Sequence, residues 1–344
     1  MIRMEKDRYI SAGSHIQSKL LEIEHLTVRF ETDDATFNAV DDVSFAIRAG
    51  EMFGLVGESG CGKSVTALSI LRLIPSPPGA VSHGRILFDG TDLLKLSAGH
   101  MRKIRGRAIS MIFQEPLSAL SPLHRIGNQM VETLRMHQEM SRKEARHIAE
   151  KWLANVGIPD ARERMAAYPF QLSGGMQQRI MIAMALMPHP RLVIADEPTT
   201  ALDVTIQAQI FDLIRKMKKK QTAVLLITHD MGIIWDMCDR VAVMYASKIV
   251  EIGTVSDLFS HSAHPYTRGL LRSIPVLKKK ADRLDTIPGQ VPSPRNFPSG
   301  CRFRERCPYA FERCSKETPQ LEIVTPGHRA ACFIAGDLVK QSVS

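Results

Sequence analysis

The stretch GESGCGKS, Gly57 to Ser64, decides the fold of this chain. An apolar segment, MFGLV at residues 52–56, comes directly before it, and an apolar-periodic run, VTALSILRLI, comes directly after it. Strand, glycine-rich turn and helix in that order predict a phosphate-binding loop, because glycines let the backbone fold closely around phosphate oxygens at the positive end of a helix. The alternative is a chance match in a glycine-rich turn, which the flanking strand and helix signals disfavour.

The residue types in this loop suit a nucleoside triphosphate with its magnesium ion. Lys63 is expected to reach the β and γ phosphates, and the Ser64 hydroxyl is expected to ligate Mg²⁺. Cys61 is interpreted as an ordinary small residue within the loop. The residues expected to contact the nucleotide here are Gly57, Ser59, Gly60, Cys61, Gly62, Lys63 and Ser64.

Polar residues follow two further apolar segments. RLVIADEP, residues 191–198, ends a buried-strand pattern in Asp196 and Glu197, and the strand pattern AVLLIT ends at His229. We expect Asp196 to hold Mg²⁺ through water and Glu197 to act as base for the attacking water. Because parallel sheets collect functional groups at the carboxyl ends of their strands, all three side chains should lie near the phosphate loop.

Composition narrows the class of protein. The 344 residues are 44% apolar, and the longest uninterrupted apolar run, Ile180 to Met187, is eight residues, far short of the roughly 20 of a membrane helix. Residues 1–19 lack the apolar core of a signal peptide and are interpreted as a flexible extension. The net charge of +9 permits binding to nucleic acid, but no basic and aromatic interleaving marks such a surface, so no nucleic-acid partner is expected.

A second helix start with free amides is predicted between the phosphate loop and the acidic strand. LSGGMQQR, Leu172 to Arg179, places two glycines before an apolar run and so offers a second anion site. Residues 121–170, which precede it, read as helical. There Ser141 and Glu144 form a predicted capping box. One helical face is traced by Ala145, Ile148, Ala149, Trp152, Leu153 and Val156.

The order of these motifs over residues 20–275 resembles the nucleotide-binding subunits of ATP-binding cassette (ABC) transporters. It adds a Q-loop at Gln114 in MIFQEP and a D-loop, TALD, at Thr200 to Asp203. The resemblance implies an α/β fold: an ABC-type P-loop ATPase core with an N-terminal antiparallel β subdomain, a helical subdomain and a small Cys-rich C-terminal extension. It also implies ATP and Mg²⁺ as cofactors.

The same resemblance implies further roles for individual residues. Two cassettes would pack head to tail, so that Ser173 and Gly175 of one contact the γ phosphate bound by the other. Asp203 would line the seam between them, and Phe30 would stack on adenine, with Phe37 as its rival. Catalysis would rest on Glu197, His229, Gln114 and Lys63, and Mg²⁺ would be held by Ser64, Gln114 and Asp196.

The C-terminal part resembles dipeptide and oligopeptide importer ATPases. HPYTRGLLRSIP at residues 264–275 and the linker IPGQVPSP carry this likeness, while MYASKIVE departs from it at Ser247, where the family commonly has Gly in a hairpin turn away from the chemistry. The expected domains are residues 20–260, with a helical subdomain at about 115–175, and residues 261–344.

The resemblance further implies a peripheral subunit at the cytoplasmic face of the bacterial inner membrane. Its partners would be a second ABC ATPase subunit, expected to be a different chain, two transmembrane permeases and, indirectly, an extracytoplasmic substrate-binding protein. Other cargoes, such as nickel, opines or glycosides, are alternatives. So is a non-transport ABC ATPase acting on nucleic acid.

Four cysteines in Cx5Cx6Cx17C spacing lie near the C-terminus, at Cys301, Cys307, Cys314 and Cys332. Disulfides are disfavoured in a cytosolic protein, which leaves an iron-sulfur cluster, zinc or unmetallated thiols. The absence of a CxxC pair disfavours zinc, and the resemblance points to a [4Fe-4S] cluster. The negative charge of such a cluster would be offset by Arg302, Arg304, Arg306 and Arg313.

Overall fold

Two β-sheets organise the chain in this computed structural model, which describes residues 19–115, 119–199, 203–218, 222–274 and 286–341. Residues 1–18 of the predicted extension and residues 200–202 of the predicted D-loop lie outside the described residues. No helix in the described ranges has the length and apolar character needed to cross a bilayer.

The N-terminal sheet is antiparallel and has the order β2-β1-β4-β5. Its strands are β1 (Lys19–Glu31), β2 (Thr36–Arg48), β4 (Gly79–Phe88) and β5 (Thr91–Asp92). Residues of β1 alternate between buried and accessible, as expected for a sheet with one face on the core. The register shifts near His25, whose φ is +51°, so the buried set continues at Leu26 and Val28.

The second sheet has the order β11-β12-β10-β9-β3-β8-β7-β6 in the described part of the chain. Its parallel strands are β3 (Met52–Val56), β6 (Ile109–Ile112), β7 (Leu192–Asp196), β8 (Ala223–Thr228) and β9 (Arg240–Tyr245). Its antiparallel edge consists of β10 (Lys248–Thr254), β11 (Glu322–Thr325) and β12 (His328–Ala330). Strands β3, β7 and β8 are buried throughout, as is typical of parallel sheets covered on both faces.

Helices cover this sheet and form a separate layer beside it. Those of the core are α1 (Lys63–Ile70), α2 (Ala98–Ile104), α6 (Gly174–Leu186), α7 (Val204–Lys218) and α8 (Met231–Met237). The helical layer contains α3 (Ile126–His137), α4 (Arg142–Asn155) and α5 (Ala161–Arg164). Toward the C-terminus follow α9 (Val255–His261), α10 (Pro265–Arg272), α11 (Glu312–Lys316) and α12 (Ala335–Gln341).

The helical layer confirms the capping-box prediction. Ser141 accepts from the Glu144 N–H, and the Glu144 carboxylate accepts from the Ser141 N–H at 2.9 Å. Trp152 and Leu153 of α4 are buried against the core, on the face that the sequence predicted. The predicted α/β architecture with an antiparallel N-terminal sheet and helical parts is therefore confirmed.

The C-terminal region does not form the small Cys-rich extension that the sequence led us to expect. Strand β12 pairs with β10, and β11 pairs with β12, so residues 322–330 widen the central sheet. Beneath this edge, the fully buried carboxylate of Glu251 lies 2.7 Å from Nε2 of His328, which is 1% exposed. The same carboxylate accepts from the N–H groups of Ala263 and His264.

Candidate active site

The phosphate loop connects β3 to α1 at the centre of the parallel sheet. The ammonium group of Lys63, a residue only 6% exposed, donates to the carbonyls of Gly57 at 2.7 Å and Glu58 at 3.0 Å. These bonds hold the Lys63 side chain along the inside of the loop. Its charge therefore lies at the start of α1, where free amides attract an anion.

Gly62, the last residue before α1, can only be glycine in this backbone. Its φ is +106°, and a Cβ atom there would come within 2.4 Å of the Ala39 carbonyl oxygen. The loop therefore packs directly against β2 of the N-terminal sheet. This close approach requires the absence of a side chain.

Asp196, at the end of β7, faces the same loop. Its carboxylate hydrogen-bonds to Ser64, and burial is the main cause that raises the pKa of Asp196 above its ordinary value. The other oxygen, Oδ1, is buried without a hydrogen-bond partner in the described part of the chain. A magnesium ion fits these donors, because Mg²⁺ takes a hydroxyl and a carboxylate oxygen and completes its coordination with phosphate and water oxygens.

Glu197 lies between two other predicted site residues. Its Oε2 is 3.4 Å from Nε2 of Gln114, and its Oε1 is 3.2 Å from Nδ1 of His229. The Glu197 side chain is 13% exposed and that of His229 is 62% exposed, so the pair opens to solvent on one side. The residues that follow β6, β7 and β8 therefore lie together at one edge of the sheet.

Ser173 and Asp203 each occupy the residue before a helix. The Ser173 hydroxyl accepts from the Met176 N–H and caps α6, which begins at Gly174, with Gly175 next to it. The Asp203 carboxylate accepts from the Ile206 N–H at 3.0 Å in the first turn of α7. Both Ser173 and Asp203 are exposed, which leaves their surfaces accessible to a second molecule.

The two rival aromatic residues are direct cross-strand neighbours. Phe30 of β1 pairs with Phe37 of β2, and their rings stack with centroids 5.9 Å apart and an interplanar angle of 11°. Both side chains are half-buried. The structure therefore presents one aromatic platform to which both residues contribute.

Comparisons with known proteins cover nearly the whole chain. A family model described as "ABC transporter" matches residues 40–200, and one described as "Oligopeptide/dipeptide transporter, C-terminal region" matches residues 250–314. The oligopeptide transport ATP-binding protein AppD of Bacillus subtilis (strain 168) is 48% identical over 92% of this chain and 97% of its own length. The chain belongs to the ATP-binding subunits of peptide ABC transporters.

Two further relatives and two solved structures agree with this membership. The dipeptide transport ATP-binding protein DppD of Bacillus subtilis (strain 168) is 48% identical over 94% of this chain and 97% of its own. The oligopeptide transport ATP-binding protein OppD of Escherichia coli (strain K12) is 46% identical over 91% of this chain and 93% of its own length.

Among solved structures, a dimeric ATP-binding cassette in a post-hydrolysis state with ADP and Pi has a TM-score of 0.63 at 26% identity, over 68% of this chain and 98% of that one. The CbiO1 subunit of a Clostridium perfringens ABC transporter complex has a TM-score of 0.57 at 26% identity, over 70% and 90%. As a member of this family, the chain is an ABC-type ATPase.

The iron-sulfur prediction for this ABC ATPase is wrong. The structure describes all four cysteines, yet within the described residues no group of three or more His, Cys, Asp or Glu side chains could hold a metal ion. The zinc alternative fails on the same finding. Burial raises the pKa of Cys301 and Cys307, and it raises that of Cys332 to about 12.

The arginines between these cysteines have other partners than a charged cluster. Arg302 pairs with Asp41, and Arg313 donates to Glu317 at 2.8 Å. Arg304 donates to the Ser299 hydroxyl at 3.0 Å. Arg306 donates to the carboxylate of Glu58 in the phosphate loop of this ABC ATPase.

Two contacts at the site escaped sequence reasoning. The fully buried Gln178 donates from its amide to the Pro198 carbonyl at 2.7 Å, which ties α6 to the residue after Glu197. The hairpin turn at Ser247 was expected to lie away from the catalytic residues. The backbone N–H of Ser247 nevertheless donates to the carbonyl of Cys61, in the phosphate loop, at 3.1 Å. Of these two contacts, only the one made by Gln178 could have been suspected from the sequence, because Gln178 is a polar residue near the start of an apolar helix.

Proposed function

We propose that this chain binds and hydrolyses ATP to drive the import of dipeptides or oligopeptides. The observation that carries the proposal is the continuous match to peptide transport ATP-binding proteins, at 46–48% identity over more than nine-tenths of the chain. The match includes the C-terminal region as well as the cassette.

Phosphate binding is assigned to the loop and its flanking side chains. Lys63 lies at the start of α1, where its ammonium group would turn from the Gly57 and Glu58 carbonyls to the β and γ phosphates. Backbone amides at Gly57, Ser59, Gly60, Cys61 and Gly62 would bind the remaining phosphate oxygens. Ser64, Asp196 and Gln114 would hold Mg²⁺, which when bound neutralises phosphate charge.

Hydrolysis is assigned to the group around Glu197. The Glu197 carboxylate would accept a proton from the attacking water, and the bonds from Gln114 and His229 would fix its orientation. His229 lies on the solvent side of this carboxylate, where it can also face the γ phosphate. These three side chains and Lys63 form the proposed catalytic set.

The second half of each site is assigned to another cassette. Ser173 and Gly175 would contact the γ phosphate bound to the partner cassette, and Asp203 would line the seam. The exposure of Ser173 and Asp203 and the place of all three residues at helix starts support this assignment. Phe30 would stack on adenine, supported from behind by Phe37.

The proposed assembly contains a second cassette, a different chain, and two transmembrane permeases, and it receives substrate from an extracytoplasmic binding protein. The chain would act at the cytoplasmic face of the inner membrane. We assign residues 20–260 to the nucleotide-binding domain, with the helical subdomain at about 115–175. Residues 261–344 are assigned to the importer-type C-terminal region, and residues 1–19 to an extension.

Affinity capture of the tagged chain from detergent-solubilised membranes tests this function. Two polytopic permeases and one further cassette should copurify, and the complex in vesicles should accumulate labelled dipeptide or tripeptide only with ATP. The same complex with Glu197→Gln is the matched control and should accumulate none. Stimulation of ATPase activity by DNA or RNA, without permeases, would contradict the proposal and support the nucleic-acid alternative.

A further inference from the structure

Glu58, the second residue of the phosphate loop, is held by two residues from the C-terminal part of the chain. The guanidinium of Arg306 donates to both carboxylate oxygens of Glu58, at 2.7 Å and 3.0 Å. The hydroxyl of Tyr266 accepts from the Glu58 N–H at 2.9 Å. The side chain and the backbone of one loop residue are therefore both fixed from more than 200 positions away in sequence.

Arg306 is itself locked in place. Its side chain is 5% exposed, whereas that of Glu58 is 33% exposed, so the arginine forms the buried member of the pair. Its Nε donates to the Pro288 carbonyl at 2.8 Å, and its guanidinium lies 5.7 Å from the ring centroid of Tyr245. A planar guanidinium with this many partners binds a carboxylate in one geometry only.

Tyr266 is equally constrained. It is fully buried, and its ring packs against Tyr245 and Phe303 with centroids 4.7 Å and 5.5 Å away. Phe303 belongs to the same Cys-rich segment, residues 301–314, as Arg306. The aromatic cluster therefore joins α10, β9 and that segment behind the phosphate loop.

The Cys-rich segment also contacts the turn at residues 246–247, which hydrogen-bonds to the phosphate loop. Arg302 pairs with Asp41 and donates to the Ala246 carbonyl. Ala246 is followed by Ser247, whose N–H donates to Cys61 inside the loop. Arginines on both sides of Phe303 thus contact the loop or the turn that supports it.

We propose that Arg306 and Tyr266 are positioning residues for nucleotide binding, which set the phosphate loop and neutralise Glu58 beside the phosphates. The proposal rests on the function proposed above, because it assigns these residues to the ATP site. Without Arg306, the Glu58 carboxylate would be an unpaired negative charge next to a polyanion. The Arg306–Glu58 pair therefore has two effects: it holds the loop in position, and it neutralises the carboxylate of Glu58. Substitutions at the two residues separate these effects.

The test compares Arg306→Gln, Glu58→Gln and the double variant in the full-length chain. The dissociation constant of a non-hydrolysable ATP analogue with Mg²⁺ is measured by calorimetry at low and high salt. Arg306→Gln should raise it about tenfold at low salt, within the usual range of coupling between sites, and less at high salt. Glu58→Gln and the double variant should raise it only about threefold, because neither leaves the negative charge.

Controls separate this inference from the proposed function and from misfolding. Arg313→Gln removes an exposed arginine of the same segment and should leave the constant unchanged, whereas Lys63→Ala should abolish binding. Arg306→Lys keeps the charge and should restore part of the affinity. Tyr266→Phe removes one hydroxyl only, so the chain should still fold with a slightly lower melting temperature. It should raise the constant about threefold, even if Arg306→Gln fails to fold.

Unchanged affinity in Arg306→Gln and Tyr266→Phe, with binding lost in Lys63→Ala, would overturn this inference and leave the ATPase function standing. An equal loss in Arg306→Gln and the double variant would overturn the charge argument on which the inference rests. Normal binding in Lys63→Ala would instead contradict the proposed function itself.

Discussion

Nδ1 of His229 lies 3.2 Å from Oε1 of Glu197, across the ends of two adjacent parallel strands. The pairing of Asp196 with Ile227 sets β7 and β8 in the register that brings the two side chains level. Neither side chain needs to move far to share one water molecule. The proton-transfer step of hydrolysis is therefore expected to depend on the carboxylate of Glu197.

Replacing Glu197 with Gln should slow hydrolysis by about 10²- to 10⁴-fold, because the amide cannot accept the proton of the attacking water. The change keeps shape and size, so the affinity for ATP should stay near that of the native chain. Single-turnover hydrolysis and equilibrium binding measure the two quantities separately. A native rate in this variant would show that Glu197 is not the base.

Lys63→Ala should abolish detectable ATP binding and turnover. The substitution removes the one ammonium group held along the loop by Gly57 and Glu58. Lys95→Ala is the matched control, because that lysine side chain is 80% exposed and pairs with Asp92. Equal effects of the two substitutions on nucleotide affinity would rule out the assigned role of Lys63.

Gly62→Ala should destabilise the nucleotide-free chain more than Gly60→Ala. Both glycines have positive φ, at +106° and +78°, but a Cβ at Gly60 meets nothing within 4 Å while one at Gly62 meets the Ala39 carbonyl. We expect losses of about 1 kcal/mol for Gly60→Ala and about 3 kcal/mol for Gly62→Ala. Urea unfolding without nucleotide measures both, and similar losses would contradict the close packing of loop and β2.

Stability should fall as the pH is lowered below 6.5, because of His264. Complete burial lowers the pKa of His264 from 6.5 to about 3, so the folded chain keeps it neutral. Above pH 6.5 neither state binds the proton. Between 6.5 and 3 only the unfolded state does, which costs the folded state about 1.4 kcal/mol per pH unit.

Urea unfolding at pH 7.5 and 5.5 tests the histidine. His264→Asn keeps a side-chain acceptor for the Tyr266 N–H, which His264 Nδ1 now binds at 3.1 Å, and should flatten this pH dependence by about 1.4 kcal/mol. His147→Asn, at an exposed position on α4, should leave it unchanged. If the free energy of unfolding of His264→Asn fell between pH 7.5 and 5.5 as much as that of the native chain, His264 would not be the cause of the pH dependence.

The sequence predicts those parts of the site that are contiguous in the chain. GESGCGKS, the acidic strand end and His229 each follow an apolar strand, and parallel pairing alone brings such ends together. The capping box of α4 is likewise local, since its two residues lie three positions apart. In each case backbone geometry carries the information, so a short window of residues suffices.

Contacts between distant segments could not be predicted in this way. Arg306 and Glu58 are 248 positions apart, and the local sequence around either residue does not predict contact with the other. The density of four cysteines suggested a metal site, the family resemblance suggested an iron-sulfur cluster, and the arginines were then interpreted as its counterions. Spacing does not determine where side chains point, however, and here carboxylates and backbone carbonyls bind the arginines.

The pairing of β12 with β10 means that this cassette is not a detachable module. Cutting the chain after residue 274 would uncover the β10 edge and remove His328 from the buried Glu251 carboxylate. A bare strand edge and an unpaired buried charge both favour aggregation over a stable core. Exchanging C-terminal regions between relatives would therefore require β10 and its buried glutamate to travel with the donor segment.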